Sequence, residues 1–222
     1  MMKRNNFPFS AVLGLNHAKT AILIVLVNPR AGGLLISGPR GIGKSTLMRS
    51  TQELIERPWR DIPVSVTEDR LFGTIDTEKA IYSGQKKLYP GIINEADQGV
   101  LYLDDANLLR EDLLDSILNI AEVGAYQLER DGLSLRCDTS FTVIAAINPE
   151  SGMLSGACLD QFGLFVNVDN IHDENTRVEI LKRTISFEKD CASFCNLWKL
   201  ENEKIKKAIH SAMSLLPKVC LL

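Results

Sequence analysis

The chain has 222 residues, a formal net charge of −3 at pH 7, and a composition 45% hydrophobic and 24% charged, which suits one large α/β domain, or one domain with part of a second. That charge balance leaves no overall basic field, so bulk electrostatics do not favour nucleic acid as a partner. The longest apolar run, residues 21–27, stops at Asn28-Pro29, well short of the roughly 20 residues a membrane helix needs; the Met1-Met2-Lys3-Arg4-Asn5-Asn6 start has no apolar stretch behind it, so neither a span nor a signal peptide is predicted and a cytoplasmic protein is expected.

An apolar-periodic stretch over residues 11–27 predicts a helix that ends at Asn28-Pro29. Leu34-Leu35-Ile36-Ser37, bounded by glycines, reads as a buried parallel strand, and the glycine-rich loop after it feeds a helix to about Ile55. Pro58 and Pro63 break the chain before a short strand expected at residues 64–66. Residues 67–99 are polar and glycine-punctuated, with a helix predicted at 77–83. Residues 100–103 form a third apolar run, and 108–123 an amphipathic helix. Residues 125–128 and 133–136 alternate around Arg130-Asp131-Gly132, a hairpin signal because Asp-Gly tolerates positive φ. Strands follow at 141–147 and 164–168, then helices at 174–187 and 204–216. Strands alternating with helices predict a parallel sheet covered on both faces.

Gly38-Pro39-Arg40-Gly41-Ile42-Gly43-Lys44-Ser45 fits G-x-x-x-x-G-K-[ST] at every fixed position, between a predicted strand and a predicted helix, the context this phosphate-binding motif requires. Glycines let backbone N–H groups converge on phosphate oxygens without interference from Cβ atoms. The helix N-terminus, where Thr46 follows, adds partial positive charge; Lys44 is the group to reach β- and γ-phosphates, and the Ser45 hydroxyl to ligate Mg²⁺. The expected ligands are thus ATP or ADP with Mg²⁺. The run Val100-Leu101-Tyr102-Leu103 ends in Asp104-Asp105. Downstream of a phosphate loop, the first acid at such a strand end holds Mg²⁺ and the second orients or polarises the attacking water; without the loop the same pattern is only a strand end with a solvated turn. Asn148 ends the 141–147 strand, beside the other strand ends, where its amide could meet the γ-phosphate or the water. An asparagine before proline is also a common turn former, and position alone does not choose. The five cysteines, Cys137, Cys158, Cys191, Cys195 and Cys220, have no C-x-x-C spacing and read as reduced thiols. His17, His172 and His210 are isolated and receive no role.

These residues resemble the ATPase I subunit of magnesium chelatase and its relatives, an AAA+ clade near the MoxR group with an insert in helix 2. The resemblance runs from Phe7-Pro8-Phe9-Ser10 to about Pro217. It rests on Thr67-Glu68-Asp69-Arg70-Leu71-Phe72-Gly73-Thr74-Ile75-Asp76, on the GVLYLDDANLL segment at 99–109, on Glu129-Arg130-Asp131-Gly132 and on Asn148-Pro149-Glu150, as well as on the loop. It implies an AAA+ P-loop core: a five-stranded parallel sheet flanked by helices, with the helix-2 insert within 67–99 and a hairpin before sensor 1 at 125–136. Residues 1–187 correspond to the ATPase core and 188–222 to the start of a helical segment, with most of the C-terminal lid absent. It assigns Asp104 to Walker B and Asn148 to sensor 1, so that Lys44, Asp104, Asp105 and Asn148 would carry catalysis. It implies a ring-forming homo- or hetero-oligomer with ATP at the subunit interfaces, working with a related subunit that carries an integrin-like metal-binding domain.

Three residues depart from that pattern, among them Ser155, which stands where another family arginine is usual. The family usually has Asp-Glu where Asp104-Asp105 stand, and the shorter Asp105 carboxylate reaches less far. In Leu159-Asp160-Gln161-Phe162-Gly163-Leu164 the family typically has an arginine, the finger offered to a neighbour's γ-phosphate, where this chain has Gln161; Arg177 and Arg130 are the candidate substitutes. The sequence therefore predicts an ATP-binding motor subunit of a chelatase-like or MoxR-like complex whose hydrolysis is weak or partner-dependent, the alternative being an ATP-binding scaffold or regulatory subunit that does not hydrolyse; a DNA-dependent AAA+ ATPase shares the core, but the net charge of −3 and the lack of an appended DNA-binding motif disfavour it.

Overall fold

The computed structural model describes residues 6–75, 88–130 and 133–218. Its centre is a sheet of five parallel strands, β1 (Leu34–Ser37), β2 (Trp59–Ile62), β5 (Gly99–Leu103), β8 (Phe141–Ile147) and β9 (Leu164–Asn167), in the order β2-β5-β8-β1-β9. Every residue of β1, β5 and β8 is buried, as unbroken apolar runs require when both sheet faces are covered. Alternation along the strands divides the core in two. Leu34, Ile36, Val100, Tyr102, Ile144 and Ala146 pack on one side with helices α1 (Asn16–Val27) and α2 (Lys44–Thr51). Leu35, Leu101, Leu103, Val143, Ala145 and Ile147 pack on the other with α5 (Glu111–Val123). α5 buries Leu113, Leu114, Ile117, Leu118 and Ile120, carries Glu111 and Asp112 in its first turn where the helix dipole favours anions, and ends on Gly124 in the left-handed region.

Smaller elements decorate this sheet. α3 (Glu68–Phe72) is capped by the Thr67 hydroxyl and runs into β3 (Gly73–Ile75), which pairs antiparallel with β4 (Leu88–Pro90); α4 (Ile92–Glu95) leads back to β5. The helix expected at 77–83 lies outside the described residues. β6 (Ala125–Arg130) and β7 (Leu133–Asp138) form the expected antiparallel hairpin in register, its two turn residues 131 and 132 also outside the description. A short helix α6 (Gly156–Asp160) precedes β9, and α7 (Glu174–Lys189) and α8 (Cys191–Leu215) follow it.

Three local expectations are corrected. The first helix does not begin near residue 11: Gly14 and Leu15 both have positive φ, +68° and 53°, which a right-handed helix cannot contain, so α1 starts at Asn16. The second strand lies between the prolines rather than after them, because Trp59 and Ile62 are the buried residues and pair with Val100 and Leu103; Pro63, lacking an N–H, ends the ladder. The last helix is longer than expected. Asp190 caps it by accepting from Ser193 N at 3.0 Å, and Phe194 and Ile209 are buried along it.

Candidate nucleotide site

Order in the sheet brings the functional loops together. β8 lies between β1, which carries the glycine-rich loop, and β5, which ends in the two aspartates, so three strand ends share one edge. The loop starts where Gly38 N donates to Ile147 O at 3.2 Å. Gly41 and Gly43 hold φ of +81° and +94°, and a Cβ on Gly41 would meet nothing within 4 Å: the loop curls around open space and feeds its free N–H groups and those of the α2 N-terminus towards it. Lys44 is buried, 8% exposed, and its ammonium donates to the carbonyls of Gly38 (2.5 Å) and Pro39 (2.8 Å). Burial pushes its pKa down, the nearby Asp105 and Asp104 carboxylates oppose that, and the Arg40 charge adds to it.

At the end of β5, the Ser45 hydroxyl donates to Asp104 Oδ2 at 2.9 Å. Asp105 sits in the left-handed region (φ 50°, ψ 48°), a conformation that aspartate tolerates better than most residues, and this turns the chain sharply after the strand. Two residues before Asp104 on the same face, Tyr102 is 4% exposed. Burial and then the Asp104 charge push its phenol well above its usual pKa. Asn148, 2% exposed, uses Oδ1 to accept from Glu150 N (3.2 Å) and Nδ2 to donate to Ser151 Oγ (3.2 Å). Arg40 Nη2 donates to the same Ser151 hydroxyl at 3.4 Å, and Asn107 Nδ2 donates to the carbonyls of Asn148 (3.3 Å) and Gly152 (3.0 Å). The turn-forming and the site-facing readings of Asn148 are therefore compatible: it caps a turn that the loop's own Arg40 touches.

A cavity of about 1350 Å³ opens on the other flank of the loop, lined by Gly41, Ile42, Gly43 and Thr46 together with Val12, Leu15, Ile171, His172 and Arg177. Apolar walls with a few polar groups beside a phosphate loop suit a purine base and ribose. The left-handed Gly14 and Leu15 that cut α1 short thus bring this chain segment to the loop.

The arrangement fits ATP and Mg²⁺. The Lys44 ammonium is buried and hydrogen-bonded to two carbonyls of its own loop, partners that phosphate oxygens would replace, and the Ser45 and Asp104 oxygens form a hard donor pair of the kind Mg²⁺ prefers. Comparison with known proteins agrees. The AAA domain (dynein-related subfamily) matches residues 33–161. The Magnesium-chelatase 38 kDa subunit of Rhodobacter capsulatus is 35% identical over 246 residues, covering 96% of this chain and 70% of that protein. The Magnesium-chelatase subunit ChlI of Synechocystis sp. is 32% identical, covering 99% and 72%, and the Magnesium-chelatase subunit ChlI homolog of Methanocaldococcus jannaschii 33%, covering 99% and 70%.

The chain belongs to the AAA+ ATPases related to magnesium-chelatase subunit I. A solved complex between subunits BchI and BchD of magnesium chelatase contains a chain that superposes with a TM-score of 0.71 at 35% identity, covering 97% of this chain and 77% of that one. The parallel five-stranded AAA+ core, and the use of ATP and Mg²⁺, go with membership of this ATPase family.

Of the residues singled out in the sequence of this AAA+ chain, Gly38, Pro39, Arg40, Gly41, Ile42, Gly43, Lys44, Ser45, Thr46, Asp104, Asp105 and Asn148 gather around the loop. Gln161 does not: its amide donates to Ala157 O at 3.5 Å, and it lines a separate cleft with Asp115, Asn119, Tyr126 and Glu129. Arg177 lines the cavity beside the loop. The Arg130 side chain lies outside the described residues. Residues the sequence reading passed over are Tyr102, Asn107, Ser151 and His172. No group of three or more metal-ligating side chains occurs among the described residues, and no described helix is long and apolar enough to cross a membrane.

Proposed function

We propose that this AAA+ chain is a Mg²⁺-dependent ATPase whose turnover is weak or depends on a partner, acting as the motor subunit of a chelatase-like or MoxR-like complex. The observation that carries this reading is the Ser45–Asp104 hydrogen bond of 2.9 Å beside the buried Lys44 ammonium. Backbone N–H groups from 40 to 46 cradle the phosphates, and Lys44 binds the β- and γ-oxygens. Ser45 and, through water, Asp104 would hold the Mg²⁺, which when bound neutralises charge developing on the phosphate oxygens. Asp105 orients and polarises the attacking water. The Asn148 amide, anchored by Ser151, donates towards the γ-phosphate or that water. Residues 1–187 form the ATPase core in this reading, and 188–222 the start of the helical segment behind it.

Weak turnover follows from charge. A finger arginine is worth roughly 10³–10⁵ in rate in well-studied NTPases, and a neutral glutamine at 161 cannot supply it. In a ring or a mixed assembly, a neighbouring subunit of another kind can. The exposed Val178, Leu181 and Ile185 along α7 (49%, 61% and 62% exposed) support assembly with other subunits, as does the solved BchI–BchD complex of related subunits; a partner carrying an integrin-like metal-binding domain fits this reading. The test is ATP hydrolysis with Mg²⁺ while protein concentration, and then an added partner subunit, is raised: a rising rate is expected, and a rate flat near zero across both titrations overturns the proposal.

A second reading, an ATP-binding scaffold that does not hydrolyse, is favoured by Gln161 and by the short Asp105. It predicts that Lys44→Ala abolishes function while Asp105→Asn does not.

A further inference from the structure

Tyr102 presents a buried polar atom without a job. The residue is 4% exposed, and its hydroxyl has no hydrogen-bond partner among the described residues. Buried hydroxyls are almost always paired, so an orphan calls for an explanation. Three features define its surroundings. Alternation along β5 puts Tyr102 and Asp104 on the same face of the sheet, the face covered by α2 and hence by Ser45. The neighbouring strand places Asp61 directly opposite Tyr102 in register. The Trp59 ring, 6.0 Å away at 41°, walls in the phenol, while its Nε1–H donates to Asp61 Oδ1 at 2.8 Å. Asp61 is thereby partly satisfied by the indole, and of the two carboxylates Asp104 acts on the phenol more strongly than Asp61 does, with Ser45 also in reach.

We propose that Tyr102 is a positioning residue of the metal end of this site, its hydroxyl donating to the Asp104 carboxylate once Mg²⁺ and nucleotide are bound. Asp104 then accepts two hydrogen bonds, from Ser45 and from Tyr102, and the pair fixes which oxygen lone pairs face the metal's water shell. Such outer partners of a metal ligand set its orientation and commonly matter about 10- to 100-fold for metal affinity. This rests on the assignment of Ser45 and Asp104 to Mg²⁺ made above. The phenylalanine variant keeps the ring against Trp59 and removes only the hydroxyl.

The experiment titrates Mg²⁺ into the full chain at fixed N-methylanthraniloyl-ADP, for wild type, Tyr102→Phe and Asp104→Asn, with melting temperatures measured in EDTA and in Mg²⁺. For Tyr102→Phe the Mg²⁺ concentration at half-effect rises about tenfold, as loss of a hydrogen bond to a charged group requires. Nucleotide affinity in EDTA stays within about twofold, the ligand-free melting temperature is unchanged or higher, and the extra stabilisation by Mg²⁺ with nucleotide shrinks. If Tyr102→Phe keeps the wild-type Mg²⁺ midpoint while Asp104→Asn moves it, this proposal falls and the metal site stands. Equal losses for Tyr102→Phe in EDTA and in Mg²⁺ make the hydroxyl structural and also overturn it. If Asp104→Asn leaves the midpoint unmoved, the metal-site assignment fails and takes this proposal with it.

Discussion

The hydroxyl of Ser45 and the carboxylate of Asp104, 59 positions apart in the chain, meet at 2.9 Å. One is the first turn of a helix and the other the end of a strand two places away in the sheet. Their meeting joins the phosphate loop to the acidic strand end, and the expected outcomes of altering the site follow from it.

Asp105→Glu lengthens this side chain by one methylene. The glutamate reaches further towards the attacking water, so turnover should rise severalfold. Glutamate is less at ease than aspartate in the left-handed region that position 105 occupies (φ 50°), so stability should fall by up to about 1 kcal/mol. Steady-state ATPase rates and chemical denaturation of the two proteins read both effects.

Gln161→Arg restores a cation to the cleft beside α5. In a self-assembling ring the rate should climb at least about tenfold, against a ceiling of roughly 10³–10⁵, and become steeply dependent on protein concentration. A rate unchanged at all concentrations would show that position 161 does not face a neighbour's nucleotide.

Ser151→Ala removes the hydroxyl shared by Asn148 Nδ2 (3.2 Å) and Arg40 Nη2 (3.4 Å). Stability should fall by about 1 kcal/mol. Turnover should fall more than nucleotide affinity does, because the lost contact orients Asn148 and not the loop backbone; thermal melts and ATPase kinetics on the variant separate the two.

The lowered pKa of Lys44 has a definite sign. Between that lowered value and the ordinary 10.5 of an unfolded lysine, the unfolded chain binds more protons than the folded one, so stability of the ligand-free protein rises with pH across this window. ATP affinity falls across the same window, since the ammonium is what the phosphates contact. Melting temperatures and ATP titrations against pH, wild type beside Lys44→Met, should move in opposite directions for wild type and lose both trends in the variant.

How much of this was readable in advance depended on distance along the chain. The phosphate loop is eight contiguous residues, and β1, β5 and β8 are apolar runs whose ends carry Gly38, Asp104 and Asn148, so loop and acids could be placed from the sequence. Strand β2 could not: it is an edge strand whose middle residues, Arg60 and Asp61, are exposed, which hides the pattern that marks the central strands. The start of α1 was hidden for another reason. The apolar rhythm continues through 11–15, and nothing in it announces that Leu15 turns left-handed. Ser151, Asn107 and Tyr102 gain meaning only from partners brought in by other strands and turns, and His172 only from a cavity assembled from three segments.

Calorimetric titration of ATP with Mg²⁺ into wild type and Lys44→Ala decides whether the 38–45 loop binds nucleotide. Saturation at one site per chain in wild type, and affinity lower by about 10- to 100-fold or unmeasurable in the variant, is the predicted result. Equal affinity in both proteins, or no saturable binding in wild type, would contradict it.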